Sequence, residues 1–390
     1  MRAARRGAMA AAVAVVAVVA VVGTVTGMVT TLNGDGGADE ALPQMSSSPD
    51  LMSHPVEPTP DAPFPSRTSP SPSPSSSPAP SRKAGVTSSA EKTEARSEPV
   101  TPPGELYRHP DSQVLDWVRS HPGDPRGAVI ETGIADRPAA VWFTDPTPAT
   151  AASQVAAVAS GGAAQGRVPV LVAYAIPDRD CDGASRGGAA NLDAYDAWID
   201  AFAAGLGSDE AIVILEPDAI AQADCLSAGA RADRFASLAR AGRVLKAANP
   251  RARVYYDAGH SEWNPPDKQA ALLRQAGAAS PEGSDGVFSN VSNFNRTEAE
   301  VAYTRRVLDA LGGHADLGAV IDTSRNGNGA PVDGEWCDPA GRGLGRPPTL
   351  TTGEPGVHAY LWVKLPGESD GCRGRAGAFS PEYAYELVRS

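Results

Sequence analysis

Ala211-Ile212-Val213-Ile214-Leu215-Glu216-Pro217-Asp218 is an unbroken apolar run that stops on two carboxylates. The run does not alternate with polar residues, so it reads as a strand of a parallel sheet buried on both faces. Six further runs share this character: Ala139–Phe143, Val168–Ile176, Ala252–Tyr256, Gly286–Ser292, Gly318–Ile321 and His358–Leu365. Between most of them lie alanine-rich stretches with helical spacing. Asn191–Leu206 carries Leu192, Tyr195, Trp198, Ile199 and Phe202; Arg231–Ala248 carries Phe235, Leu238, Val244 and Leu245. Strands alternating with helices imply parallel pairing and right-handed crossovers. Seven such repeats favour a closed or nearly closed barrel; an open doubly wound sheet is the alternative.

Polar residues gather just after these runs. Asp178, Arg179 and Asp180 follow the second, Glu216 and Asp218 the third, and Asp257, His260 and Trp263 the fourth. Asn290 and Asn293 follow the fifth, Asp322 and Arg325 the sixth, and Lys364, Glu368 and Asp370 close the seventh. One such carboxylate is a helix cap. A repeated series is a functional face, because the ends of parallel strands lie together.

Composition fixes what surrounds this domain. Of the 22 Phe, Trp and Tyr residues, only Phe64 precedes residue 105, while 15 of 35 prolines crowd into residues 43–104. A stretch so poor in aromatics cannot bury a core against its chain entropy. Residues 35–104 therefore read as a Pro/Ser-rich disordered linker, and residues 105–390 as a single folded domain. Before the linker, Arg2, Arg5 and Arg6 precede a long Ala/Val run, so residues 1–34 read as a signal peptide or an N-terminal membrane anchor. Either places the domain outside the cytoplasm. No second folded module is expected beside the linker. The formal net charge of −12 argues against nucleic acid as a partner.

Four cysteines, Cys181, Cys225, Cys337 and Cys372, all fall in the domain. An even count in an exported chain points to two disulfides, with three pairings open. None forms a Cys-x-x-Cys pair, so zinc is not expected. Asp178-Arg179-Asp180-Cys181-Asp182-Gly183 imitates the start of a calcium loop, but Ala189 stands where a bidentate Glu belongs and no helix precedes the segment. Dinucleotide, phosphate-loop and nucleophile-elbow motifs are absent. Of the six histidines, only His260 sits at a strand end. No metal or cofactor is expected.

What remains is carboxylates interleaved with tryptophan: Asp180, Asp218, Asp257, Glu368 and Asp370 beside Trp142, Trp263 and Trp336. Sugar rings stack on indoles, and glycosidic cleavage needs a protonated carboxyl to protonate the leaving oxygen. Trp117 and Trp198 sit in helical patterns and read as core.

Six ordered motifs then carry a resemblance. Val170–Cys181 and Val213–Ile220 resemble the two signatures of glycoside hydrolase family 6, the inverting cellulases. The likeness continues through Tyr256–Trp263, Asp322–Gly329, Glu335–Pro339 and Trp362–Gly371. It implies a distorted seven-stranded β/α barrel. It implies that Asp218 is the general acid, its pKa raised by burial beside like charges. It makes Asp180 the residue that tunes the acid and orders water, Tyr174 the neighbour of the distorted sugar, and Asp370 the proposed base. Trp142, Trp263 and Trp336 match sugar-stacking positions; His260, Asn293, Arg342, Lys364 and Glu368 match hydroxyl-binding positions. It pairs Cys181 with Cys225 and Cys337 with Cys372. Only 32 residues separate Arg325 from His358, which favours an open cleft and an endo-acting enzyme on β-1,4-glucan. A monomer is expected. The alternatives are an exo-acting cellobiohydrolase and a glucan-binding protein that has lost catalysis.

Overall fold

Seven parallel strands lie in the order of the chain, each hydrogen-bonded to the next. They are β1 (Val141–Phe143), β2 (Val170–Ala173), β3 (Ala211–Leu215), β4 (Ala252–Asp257), β5 (Gly286–Ser289), β6 (Gly318–Asp322) and β7 (Val357–Leu361). The structure, a computed structural model, describes residues 104–390. The export segment expected over 1–34, and all of the expected linker but Gly104, lie outside the described residues.

Alternation along the strands shows how the sheet is shaped. Val170 of β2, Ile212 of β3, Tyr255 of β4, Phe288 of β5, Val320 of β6 and Ala359 of β7 meet in one interior cluster. Side chains from six strands converge only if the sheet curls on itself. Their neighbours Leu171, Val213, Val254 and Val287 point the other way and pack with the helices. This is the barrel expected from the sequence, not the open doubly wound sheet.

Closure is incomplete. The β1 and β7 edges are not paired as strands. Across that seam the Ala140 N–H donates to the Trp362 carbonyl at 2.9 Å, and Trp142 Nε1 donates to the Val363 carbonyl at 2.7 Å. The outer edge of β7 is met instead by Thr349, whose N–H donates to the Tyr360 carbonyl at 2.8 Å and whose carbonyl accepts the Tyr360 N–H at 3.0 Å.

The helices are α1 (Gln113–Ser120), α2 (Gly127–Ile130), α3 (Pro148–Ala164), α4 (Leu192–Gly205), α5 (Ala228–Ala248), α6 (Pro266–Gln275), α7 (Thr297–Leu311) and α8 (Pro381–Arg389). Local chemistry sets their ends. Asn191 caps α4 by accepting the Ala194 N–H at 2.8 Å, and Ser227 caps α5 through Ala230 at 3.2 Å. The cap at Ser227 starts α5 three residues before the expected Arg231. Tyr195, Trp198, Ile199 and Phe202 of α4 are fully buried against the sheet. Truncating Phe202 to Ala would cost about 3–5 kcal/mol. Gly286 begins β5 at φ 139°, where a Cβ would lie 1.7 Å from the Gly318 carbonyl oxygen, so only glycine lets β5 approach β6 there.

Candidate active site

All seven strands point their C-terminal ends at one face, and the backbone there is unusual. Among the described residues, eight non-glycine residues have left-handed φ: Asp178, Asp180, Cys181, Glu216, Asp218, Asn290, Ser292 and Asp338. Seven of them follow β2, β3 or β5. Left-handed side-chain-bearing residues concentrate where a site overrides local preference. A cleft of about 1220 Å³ crosses this face.

Eleven of the twelve residues singled out in the sequence line that one cleft: Trp142, Tyr174, Asp180, Asp218, His260, Trp263, Asn293, Trp336, Lys364, Glu368 and Asp370. Arg342 does not. Its guanidinium turns back onto its own loop, where Nη1 donates to the Gly329 carbonyl and Nε donates to the Ala340 carbonyl at 3.3 Å. Arg342 is thus not brought to the cleft with the others: two of its N–H donors brace backbone carbonyls.

Asp218 sits on the turn after β3, and Asp257 at the end of β4 holds that turn. Asp257 Oδ2 accepts the N–H groups of Ile220 at 3.0 Å and Ala221 at 2.8 Å, and Oδ1 accepts Gly259 N–H at 2.8 Å. Burial pushes both carboxyls up, but the three N–H groups pull Asp257 back. Asp218 makes no such bonds. Burial, then the charges of Asp257 and Asp180, hold it well above the ordinary carboxylate range. When two like charges share a buried site, the proton settles on the unbonded carboxyl. Asp218 therefore presents an acidic proton to the cleft.

Asp180 lies on the turn after β2. Its Oδ2 accepts the Ser185 N–H at 2.8 Å and the Ser185 hydroxyl at 2.9 Å. The same hydroxyl lies 3.0 Å from the Tyr174 hydroxyl. A Cβ at Gly183 would fall 2.4 Å from Asp180 Oδ2, so the carboxylate sits directly against the glycine. The calcium-like spelling of this segment is thus a turn closed by serine. Arg179 Nε donates to the Ser185 carbonyl at 2.9 Å, and its guanidinium carbon lies 4.6 Å from the centre of the Tyr174 ring. Burial, then the charge of Asp218, raises the Tyr174 phenol far above its ordinary value, which keeps it protonated.

Asp370 is held by two cations. Arg325 Nη1 donates to its Oδ2 at 2.7 Å, and Lys364 Nζ lies 3.4 Å from its Oδ1. The loop around it is organised by Asp338. Asp338 Oδ1 accepts the Asp370 N–H at 2.6 Å; Oδ2 accepts the Ser369 hydroxyl at 2.6 Å and the N–H groups of Cys372 and Arg373 at 3.0 and 2.8 Å. Desolvation alone would raise Asp338, but these donors outweigh it and hold the carboxylate at about 2. Disulfides join Cys337 to Cys372, beside Asp338, and Cys181 to Cys225, beside Asp180. Each tethers the loop of one cleft carboxylate.

The remaining groups shape the cleft. Burial pushes Glu368 up to about 7 against Lys364, Gln113 and Arg325, and pushes His260 down to about 4, where it is neutral at pH 7. Trp336 is 58% exposed, a free indole face on the cleft wall. Trp142 packs edge-on against Tyr174, with ring centres 5.1 Å apart. Sequence reasoning missed Ser185, Asp338 and Gln113. Of these, only Asp338 carried a signal, as the carboxylate next to Cys337.

The chain belongs to Glycosyl hydrolases family 6, whose family model matches residues 105–390. It is 50% identical over 288 residues to Endoglucanase 1 of Streptomyces sp. (strain KSM-9), covering 74% of this chain and 79% of that protein. It is 47% identical to Endoglucanase A of Thermobispora bispora over 73% of this chain, spanning 61% of that longer protein. Among solved structures, it superposes on the endoglucanase Cel6 from Mycobacterium tuberculosis with TM-score 0.68 and 40% identity, over 74% of this chain and 97% of that one. That structure was solved in complex with methyl-cellobiosyl-4-deoxy-4-thio-β-D-cellobioside.

Proposed function

We propose that this protein is an inverting endo-β-1,4-glucanase that hydrolyses internal bonds of cellulose or related β-glucans. The observation that carries the reading is Asp218: a half-buried carboxyl with no hydrogen-bond partner among the described residues, kept protonated by desolvation and then by the charges of Asp257 and Asp180, facing a cleft walled with tryptophan. Asp218 protonates the leaving glycosidic oxygen. A water attacks the opposite face of the sugar ring, and Asp370, with Asp180 ordering the water, takes its proton. Tyr174 crowds the sugar at the cleavage point. Trp142, Trp263 and Trp336 stack sugar rings, and His260, Asn293, Lys364 and Glu368 bind hydroxyls.

The β6–β7 connection supports endo action. Its Leu344 N–H donates to the Leu387 carbonyl on α8 at 3.1 Å, and Gly345 N–H donates to the Thr323 carbonyl at 3.0 Å. Of this connection, Ala330, Pro331, Gly334, Glu335 and Trp336 reach the cleft wall; so short a connection leaves little chain to roof the cleft, which favours entry by the middle of a glucan. The two disulfides and the N-terminal pattern support export through residues 1–34, as a cleaved signal or an anchor, with residues 35–104 as tether.

The test records viscosity, reducing ends and product anomer together on a soluble β-1,4-glucan. A steep viscosity fall with few reducing ends and early α-anomer is expected. Early β-anomer contradicts inversion, and slow viscosity loss contradicts endo action.

A further inference from the structure

A neutral imidazole donates from one ring nitrogen and accepts at the other, and its neighbours decide which. At His260 both neighbours of Nδ1 are donors. The Glu262 N–H donates to Nδ1 at 3.3 Å. A backbone N–H cannot turn over to accept, so Nδ1 keeps its lone pair. The Asn295 amide nitrogen lies 2.9 Å from the same atom and therefore donates to it. Nε2 is left with the proton, and it has no protein partner among the described residues. The ring stands on the cleft wall, 5.3 Å from Trp263 between centres. The Asn295 amide is itself fixed. Asn295 is 5% exposed. Its N–H donates to Asn290 Oδ1 at 3.1 Å, and its carbonyl accepts the side-chain amides of Asn290 at 3.1 Å and Asn326 at 2.9 Å. Its amide nitrogen also donates to the Ser261 hydroxyl at 3.1 Å, and the Ser261 N–H donates to Glu300 Oε1 on α7 at 2.9 Å. Burial raises Glu300, while Ser261, Ser289 and Asn295 pull it back, so the donor side of the amide faces a carboxylate.

We propose that Asn295 is a positioning residue: with the Glu262 N–H it holds the lone pair on His260 Nδ1, so that His260 presents Nε2–H to the cleft as a donor for an acceptor oxygen of the sugar. The sugar as ligand rests on the β-glucanase reading above. The tautomer sets what this wall of the cleft can bind. A sugar hydroxyl can answer either a donor or an acceptor, but a ring or glycosidic oxygen has no proton to give and answers only a donor. The opposite tautomer would lose that second class of partner.

The experiment reads the ring nitrogens of His260 in the isotope-labelled full chain at pH 7, by two-bond proton–nitrogen correlation NMR, with H260N to assign the signals. The parent is expected to carry its proton on Nε2; a proton on Nδ1 instead overturns the proposal. N295D puts an acceptor where the donor stands, and Nδ1 is expected to gain a proton. N295A serves where N295D does not fold: the Nδ1 resonance should move, because its lone pair loses a partner. An Nδ1 signal unchanged from the parent in the folded variant overturns the role of Asn295. In Asp218→Ala, which should hold substrate without cleaving it, cellotetraose is expected to move the Nε2 resonance and to leave Nδ1 in place. Cellotetraose bound with Nε2 unmoved overturns the sugar contact and leaves the glucanase reading intact. Absence of cellotetraose binding in calorimetry overturns the glucanase reading and the sugar contact together, while the parent spectrum still decides the tautomer.

Discussion

The Asp257 carboxylate accepts two backbone N–H groups from the turn that carries Asp218, and its charge raises the proton affinity of that same Asp218. One group thus both places the acid and helps keep it protonated. Replacing Asp257 by Asn keeps an oxygen acceptor and removes the charge. Asp218 then loses its proton at lower pH. The alkaline limb of the kcat profile is expected to move down by about one pH unit. A pH series on a soluble glucan checks this; an unmoved limb refutes the coupling.

Removing the acid is expected to depend on the leaving group. Asp218→Ala should lower kcat on unactivated glucan by about 10²–10⁴-fold, the usual contribution of general acid catalysis. Glucosides with a good leaving group, such as dinitrophenol, need no protonation and should lose far less. Equal losses on both substrates would place Asp218 in binding instead.

Asp338 organises the loop of Asp370 without lining the cleft, and its effects should appear in both rate and stability. Asp338→Asn puts a donor where the N–H groups of Cys372 and Arg373 now donate. It is expected to cost about 1–3 kcal/mol and to lower kcat more than it raises KM. The sign of the pH effect follows from the depressed value. A carboxylate held at about 2 in the folded state, against 3.8 ordinarily, stabilises the fold fully above about pH 4 and stops doing so as pH falls through 2. The gap between Asp338→Asn and parent in thermal unfolding should therefore narrow between pH 4 and 2.

Arg342→Ala separates the two placements of that residue. With its donors on the Gly329 and Ala340 carbonyls, its loss should lower the unfolding temperature by a few degrees and change KM for glucan by less than about twofold. A large rise in KM would return Arg342 to the sugar.

The strand β3 was legible residue for residue, because an apolar run stopped by Glu216 and Asp218 leaves little choice of ends. The α4 boundary at Asn191 was equally clear, since the cap precedes the periodic residues. Run lengths overstated β1, β2, β5 and β7, where hydrophobicity continues past the residues that pair. The carboxylates and tryptophans were legible because parallel strands bring their ends together whatever the loops do. Arg342 was not, because a guanidinium at a matching position has several carbonyls within reach, and only the folded loop decides among them. Ser185 was invisible for a related reason, and Asp338 showed only as the carboxylate beside Cys337. Their work is done through backbone N–H groups and hydroxyls whose directions exist only after the turns have formed.

The left-handed backbone at Asp218 has a further consequence. An L-residue at φ 70° carries a cost that glycine does not, and here that residue also holds a half-buried carboxyl close to the charge of Asp257. Asp218→Gly removes the conformational cost and the like-charge repulsion together. The inactive protein is therefore expected to melt above the active one, by a few degrees in calorimetry. Selection for thermal robustness alone would erode this position, and only turnover of substrate keeps it.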